Sequence, residues 1–191
     1  MGSSSFVEKD NAIFAEHFLV KTFNFEFGKK WKMPFQFIDQ LFFLLVNIWT
    51  AEICFIQLGG LHSVLPVLFF RLFGKKSVII AAGTDCHSFP SIGYGNYQRP
   101  LLSAATKFSF RACSLILPKH QTLWHTKYSY DDHDFPEQGI AYFNKGIKEK
   151  YFCIENGYDP NKFKKSELSR PKTFITVAGL LHRTSQQKLK G

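Results

Sequence analysis

No stretch of this chain is long and apolar enough to cross a membrane. Leu41–Trp49, apolar apart from Asn47, falls far short of the ~20 residues a spanning helix needs. Met1–Asp10 has no apolar core of the kind a secretory leader carries, so a signal peptide is not expected. Cysteine is sparse and scattered. Cys54, Cys86, Cys113 and Cys153 form no CxxC pair and no metal-ligand spacing, so they read as small core residues in a reducing compartment. Acidic residues are also short, 15 Asp and Glu against 24 Lys and Arg, which leaves a net charge of +9. Cys86–Tyr130 carries five Lys or Arg and no acid at all. That imbalance points to an anionic partner, either a membrane surface or a phosphorylated ligand, with a plain basic domain as the alternative. Nucleic acid is not expected, because the aromatics look buried rather than interleaved with basic residues. No internal repeat is visible. Gly93-Tyr94-Gly95-Asn96-Tyr97 lacks the third glycine and the feeding strand of a dinucleotide fingerprint. Asp131-Asp132-His133-Asp134 stands before Pro136 without matching ligands elsewhere, so it reads as a solvated loop and not a metal site.

What is present is a chain of 191 residues, 45% hydrophobic and 17% aromatic, with 22 Phe. That is enough to bury a proper core. Its periodicity alternates between helix and strand. Phe6–His17 spaces apolar residues as a helix, and Phe18–Phe27 alternates as a strand. Gly28–Lys32 is a basic turn, and Pro34 opens a very apolar helix over Phe35–Trp49. That helix reads as core-facing, or as a membrane-contacting face beside the lysine cluster. Ala51–Leu58 is a strand ending at Gly59-Gly60, and a helix then runs through Phe73. Ser77–Ala82 is a strand running into Gly83-Thr84-Asp85. Cys86–Arg99 reads as a lid-like or ligand-contacting loop. Pro100–Cys113 is a helix, Ser114–Leu117 a short strand, His120–Lys127 a helix, and Gly139–Glu149 favours helix. The alternation predicts an α/β domain, a Rossmann-like parallel sheet with helices on both faces.

In such a sheet, ligand groups belong at the carboxyl ends of the strands. Gly59, Gly60, His62, Gly83, Thr84, Asp85 and Asn156 all follow strands and so should share one edge. A strand, a glycine pair and a helix N-terminus make a pocket suited to an anion or a sugar hydroxyl. Asp85 has a plainer alternative as a turn or helix cap.

The end of the chain carries the most specific pattern. Two strand-length runs, Tyr151–Ile154 and Thr173–Ala178, each lead into a glycine turn. The charged segment Lys164–Pro171 lies between them, and Arg183 and Lys190 follow. Glu155, Asn156, Gly157, Tyr158, Asp159, Phe163, Gly179, Arg183, Lys190 and Gly191 together resemble the seam between the two domains of GT-B glycosyltransferases. The likeness is greatest to the retaining nucleotide-sugar enzymes of family 4. Phe6–Phe25 is similar to the first helix and second strand of many members.

The resemblance implies an acceptor-side domain over residues 1–165, a linker over 166–171, and the first strand of a donor-binding domain over 172–191. It implies transfer of a sugar from a nucleotide-diphosphate sugar to a hydroxyl of a glycan or lipid-linked acceptor, with retention and no metal or other cofactor. Gly59–His62 and Asp85 would contact the acceptor or the transferring sugar, and Arg183 and Lys190 would hold the diphosphate. The family's paired glutamates have no position here, so no catalytic residue is assigned. Set against the family, the chain stops at Gly191 and lacks the first strand and its glycine loop. The 191-residue chain alone is therefore expected to turn over no nucleotide sugar. A gap or stub is expected between Phe18–Phe27 and Ser77–Ala82. The expected location is the cytoplasm, peripheral to the inner face of the membrane where the basic surface is used. The competing reading is a non-catalytic basic module that binds a membrane surface or an anionic ligand.

Overall fold

A computed structural model describes residues 5–26 and 30–157. The expected linker, the strand Thr173–Ala178, Arg183 and Lys190 lie outside the described residues. The ordered elements are α1 (Ser5–Ala15), α2 (Met33–Asn47), β1 (Ile53–Gln57), α3 (Leu61–Leu72), β2 (Lys76–Ala81), α4 (Pro100–Ala112), β3 (Leu115–Pro118) and the single turn α5 (Ile140–Phe143).

The described residues form a mixed α/β domain with a three-stranded, all-parallel sheet in the order β1-β2-β3. β2 is central. Ser77, Val78, Ile79, Ile80 and Ala81 are all buried, as a run of apolar residues covered on both faces must be. β1 is an edge strand and alternates. Cys54 and Ile56 turn toward the core, while Ile53 and Phe55 stay partly exposed. Past β3 the chain returns alongside it: Ile116 N–H donates to Lys150 O, and Phe152 N–H donates to Ile116 O at 3.0 Å. Tyr151 bridges Ile116 in parallel, so the expected strand Tyr151–Ile154 runs beside β3 as a single bridge and adds no fourth strand to the sheet.

One sheet face packs on α3 and α4. Val67 and Phe110 meet Ile56, Ile79, Ala81 and Ile116 there, and Val67, Phe110, Ile79 and Ile116 are fully buried. Each such side chain contributes about 1.5–3 kcal/mol. Small residues on α4 let the helices approach: Ser63 Oγ lies 2.7 Å from Ser109 Oγ, and Thr106 is buried beside them. α2 packs on α3 through Leu44, Ile48 and Phe70. α1 touches the opposite face, where Phe14 stacks on Phe55 at 4.4 Å. Asp10 accepts from Gln57 Nε2 at 2.8 Å and lies 3.5 Å from Lys119 Nζ, tying the ends of β1 and β3 across β2.

Four other expectations are corrected. Residues 18–26 form no strand. Phe23 and Phe25 pack on Phe43 and Phe37 of α2, and Gln36 exchanges hydrogen bonds with the Glu26 backbone, so the alternation serves a helix surface. No gap flanks Ser77–Ala82 either. The short α3 crossover returns the chain beside β1, and β3 fills the other edge, as consecutive strands usually do. The helix expected over His120–Lys127 is one 3-10 turn, Gln121–Leu123, ended by an antiparallel bridge from Thr126 to Gln138. The helix expected over Gly139–Glu149 stops at Phe143.

Candidate functional site

The glycine turns after β1 and β2 meet at the carboxyl edge of the sheet. At the end of β1, Leu58 holds a left-handed backbone (φ 67°) although it is not glycine. Such a residue costs on the order of 1–3 kcal/mol and persists where its surroundings over-determine it. Here its N–H donates to Ile80 O at 2.9 Å. Gly59 follows, packed so tightly that a Cβ would stand 3.1 Å from the Phe110 ring. Gly60 N–H then donates to Ser63 Oγ at 2.8 Å, capping α3.

Asp85 joins the two turns. It is fully buried, and one carboxylate oxygen accepts from Gly59 N–H at 2.9 Å. The other accepts from Gly83 N–H at 3.0 Å, Ala82 N–H at 3.3 Å and the Cys86 thiol at 3.4 Å. A carboxylate so occupied is a brace, the plainer of the two roles its position allowed. Burial first, and then the Asp85 charge, push the Cys86 thiol well above its ordinary range, so this cysteine is no nucleophile.

Asn96 supplies a second brace that sequence reasoning missed. Its side-chain amide donates to Gly59 O at 2.9 Å, and its backbone N–H donates to Thr84 O at 2.8 Å. The loop Cys86–Arg99 is therefore pinned and not a free lid. Phe89 and Tyr94 exchange backbone hydrogen bonds at 2.8 and 3.1 Å. Gly95 (φ 106°) passes so close that a Cβ would fall 2.0 Å from His87 O.

His62 is half-buried at the first turn of α3, with Nε2 2.9 Å from Gln57 O and its own carbonyl accepting from Gln40 Nε2 at 3.0 Å. Burial lowers its pKa, against the raising effects of Gln57 O and Asp85, which favours the neutral ring. Gly59, Gly60, His62, Gly83, Thr84 and Asp85 thus form one constellation, of which Thr84 is exposed. Asn156 does not join it. It is exposed on the same edge but beyond β3, two residues past Ile154, whose N–H donates to Pro118 O at 2.9 Å.

Beside this constellation opens a cleft of about 450 Å³ whose walls are Phe89, Tyr94, Tyr128 and Tyr130, with His87 and Lys127 at its polar side. The Tyr94 hydroxyl links the two, standing 3.0 Å from where a Gly83 Cβ would be. Sequence reasoning places His87, Phe89 and Tyr94 in the ligand-contacting loop Cys86–Arg99 but does not single out Lys127, Tyr128 and Tyr130. Among the described residues no group of His, Cys, Asp or Glu could hold a metal ion. Asp134, in the acidic run before Pro136, is instead buried and accepts from Ser91 N–H at 2.9 Å, Ser91 Oγ at 2.8 Å and Tyr130 N–H at 3.0 Å. Compared with known proteins, the chain matches no family model, no curated protein and no solved structure.

Proposed function

We propose that this chain is the acceptor-side half of a retaining glycosyltransferase, using a nucleotide-diphosphate sugar as donor and a glycan or lipid-linked hydroxyl as acceptor. The observation that carries this reading is the convergence of the Gly59–Gly60 and Gly83–Asp85 turns, cross-braced through Asp85 and open to a cleft at the carboxyl edge of a parallel sheet. Ligands bind at that edge in open α/β folds. The resemblance in sequence supplies the reaction, and the strand-end turns supply a surface for a polar, uncharged substrate. The constellation itself offers the neutral His62 ring and the exposed Thr84, while Asp85 holds the turns in place. Arg183 and Lys190 are the residues proposed to meet the diphosphate.

The test is acceptor-dependent release of UDP or GDP from a nucleotide-sugar panel, using protein read from its whole reading frame. The expected result is release that needs both donor and glycan, and absence of release with every donor overturns the proposal.

A second reading rests on α2. Phe35, Ile38, Phe42, Leu45, Val46 and Trp49 form an exposed apolar stripe, and Trp31 and Lys32 stand at its start. Among the described residues no helix is long and apolar enough to cross a membrane. Such a stripe suits the interface of an anionic bilayer, with the helix lying in its plane. That placement accords with peripheral attachment at the inner, cytoplasmic face, and it would bring a lipid-linked acceptor to the same molecule.

A further inference from the structure

The aromatic cleft is built on two buried polar side chains that lock its walls to each other. Its walls come from two separate segments, His87–Tyr94 after β2 and Thr122–Tyr130 after β3. Gln138, fully buried, holds both. Its side chain accepts from Ser88 N–H at 2.8 Å and donates to Ser88 O at 2.9 Å, while its backbone exchanges hydrogen bonds with Thr126 at 3.0 and 2.8 Å. Asp134 repeats the device one step further out, accepting from Ser91 and from Tyr130 N–H. A third tie joins His87 Nε2 to Thr122 O at 3.2 Å. The walls are therefore set before any ligand arrives, which reduces the ordering cost of binding.

The rings share a geometry that leaves faces available. Phe89 packs edge-to-face with Tyr128 and Tyr130, and Tyr128 packs edge-to-face with Tyr130, with centroids 5.0–5.9 Å apart. Tyr128 is half exposed, so the cleft has an open aromatic platform. A volume of about 450 Å³ lies in the range of small-molecule sites, about 300–1,000 Å³.

The charge of the lining narrows the occupant. No carboxylate lines the cleft. Acids close by are already committed: Asp85 and Asp134 as above, and Glu137 to His125 at 2.8 Å and Lys127 at 3.8 Å. With Lys127 on its rim and no carboxylate in its lining, the cleft disfavours a cationic guest. A wholly apolar guest would cover the Tyr94 hydroxyl and Thr126 without return. Burial pushes the phenols of Tyr94 and Tyr130 up to about 12, so both remain hydrogen-bond donors across the ordinary pH range. A sugar ring meets both demands, with C–H groups on its faces and hydroxyls on its edge.

We infer that the cleft walled by Phe89, Tyr94, Tyr128 and Tyr130 binds a neutral pyranose unit, stacked on Tyr128 and with its hydroxyls toward the Tyr94 hydroxyl and Lys127. The assignment rests on the acceptor-side reading above for its choice of sugar over other amphipathic rings. The acceptor would then reach the Gly83 turn from the Tyr94 side.

Saturation-transfer NMR on the 191-residue chain tests this, with methyl glucopyranoside, methyl galactopyranoside, methyl mannopyranoside, N-acetylglucosamine and their β-linked disaccharides as probes. At least one probe is expected to bind, with saturation strongest on ring C–H protons. Tyr128→Ala should weaken it at least tenfold and Tyr128→Phe by less than threefold. If Tyr128→Ala does not fold, Tyr128→Leu, which keeps bulk and loses the aromatic face, should show the same loss. Binding by none of the probes overturns the inference, as does sugar binding that Tyr128→Ala and Tyr128→Leu leave intact. Tyr128-dependent capture of adenosine or choline with no sugar bound also overturns it. Sugar binding without nucleotide release from the whole reading frame would sink only the transferase proposal. Nucleotide release with binding indifferent to Tyr128 would sink only the cleft.

Discussion

Replacing Asp85 by alanine should destabilise the fold severely and disconnect the two turns of the candidate site. The carboxylate accepts from three backbone N–H groups, of Gly59 (2.9 Å), Gly83 (3.0 Å) and Ala82 (3.3 Å). Gly59 and Gly83 are buried, so their N–H groups would lose partners in a place water reaches poorly. Each orphaned buried donor costs about 1–3 kcal/mol, and two of them come to about 4 kcal/mol. With an m-value of ~2 kcal/mol per molar urea for a domain of this size, the midpoint should fall by ~2 M. Asp85→Asn keeps the shape and one acceptor oxygen but presents an NH₂ group to the other side, so it should lose about half as much. Urea denaturation followed by far-UV circular dichroism reads all three proteins. A midpoint shift below ~0.3 M for Asp85→Ala would refute the brace. Ligand binding lost at unchanged midpoint would instead place the carboxylate in contact with substrate.

Gly95→Ala puts a Cβ 2.0 Å from His87 O at φ 106°, so it should cost on the order of 3 kcal/mol or prevent folding, read as loss of Tm and of soluble yield. Acidification should destabilise the protein through His62 and His87, whose pKa values burial lowers against the hydrogen bonds and the Asp85 charge that raise them. The unfolded chain takes up these protons near pH 6.5 while the folded one resists, so Tm should fall as pH drops below ~6.5, and His62→Gln should flatten that slope. Asp134 acts lower on the scale: burial raises its pKa, but hydrogen bonds from Ser91, Tyr130 and Asp131 outweigh it and hold the carboxyl below its ordinary value. Its contribution is present above ~pH 4 and is lost as pH falls through the folded value, so Asp134→Asn should lower Tm at pH 7 and lose less than the parent on titration to pH 3. Anionic vesicles should bind the protein with an affinity that falls steeply with salt, and Phe42→Glu should abolish that binding; equal binding to neutral vesicles would dismiss the charge as a cause.

The sheet was legible because its strands bury differently from anything else in the chain. Val78–Ala81 is an apolar run of strand length beside a glycine turn, the pattern of a strand covered on both faces. Phe18–Phe27 was misread because alternation does not say what it alternates against. A segment laid along α2 can place Phe23 and Phe25 on one side as well as a ladder can. His120–Lys127 failed for another reason. The His120 side chain takes a hydrogen bond from Thr122 N–H, and Thr126 pairs with Gln138, so local and distant polar bonds both compete with the helix. Gly139 completes that turn at φ 107°, where a Cβ would fall 2.4 Å from Trp124 O.

The site was legible only as far as strand-end glycines reveal it. Gly59, Gly60, Gly83 and Asp85 announce turns at a carboxyl edge, and the turns do meet there. What fixes them to each other comes from far along the chain: Asn96 reaches Gly59 across 37 residues, and Gln138 reaches Ser88 across 50. No local pattern marks an amide whose only task is to satisfy a distant backbone. The same distance effect inverted the apparent roles. Asp85 and Asp134, the acids with the most evident chemistry, spend most of their hydrogen bonds on backbone groups. Tyr128 and Tyr130, which in sequence look like ordinary core aromatics, line the open cleft. In a basic domain whose buried carboxylates are already hydrogen-bonded, the cleft presents ring faces and hydroxyls. The polar residues then act one layer beneath, by holding those faces in place.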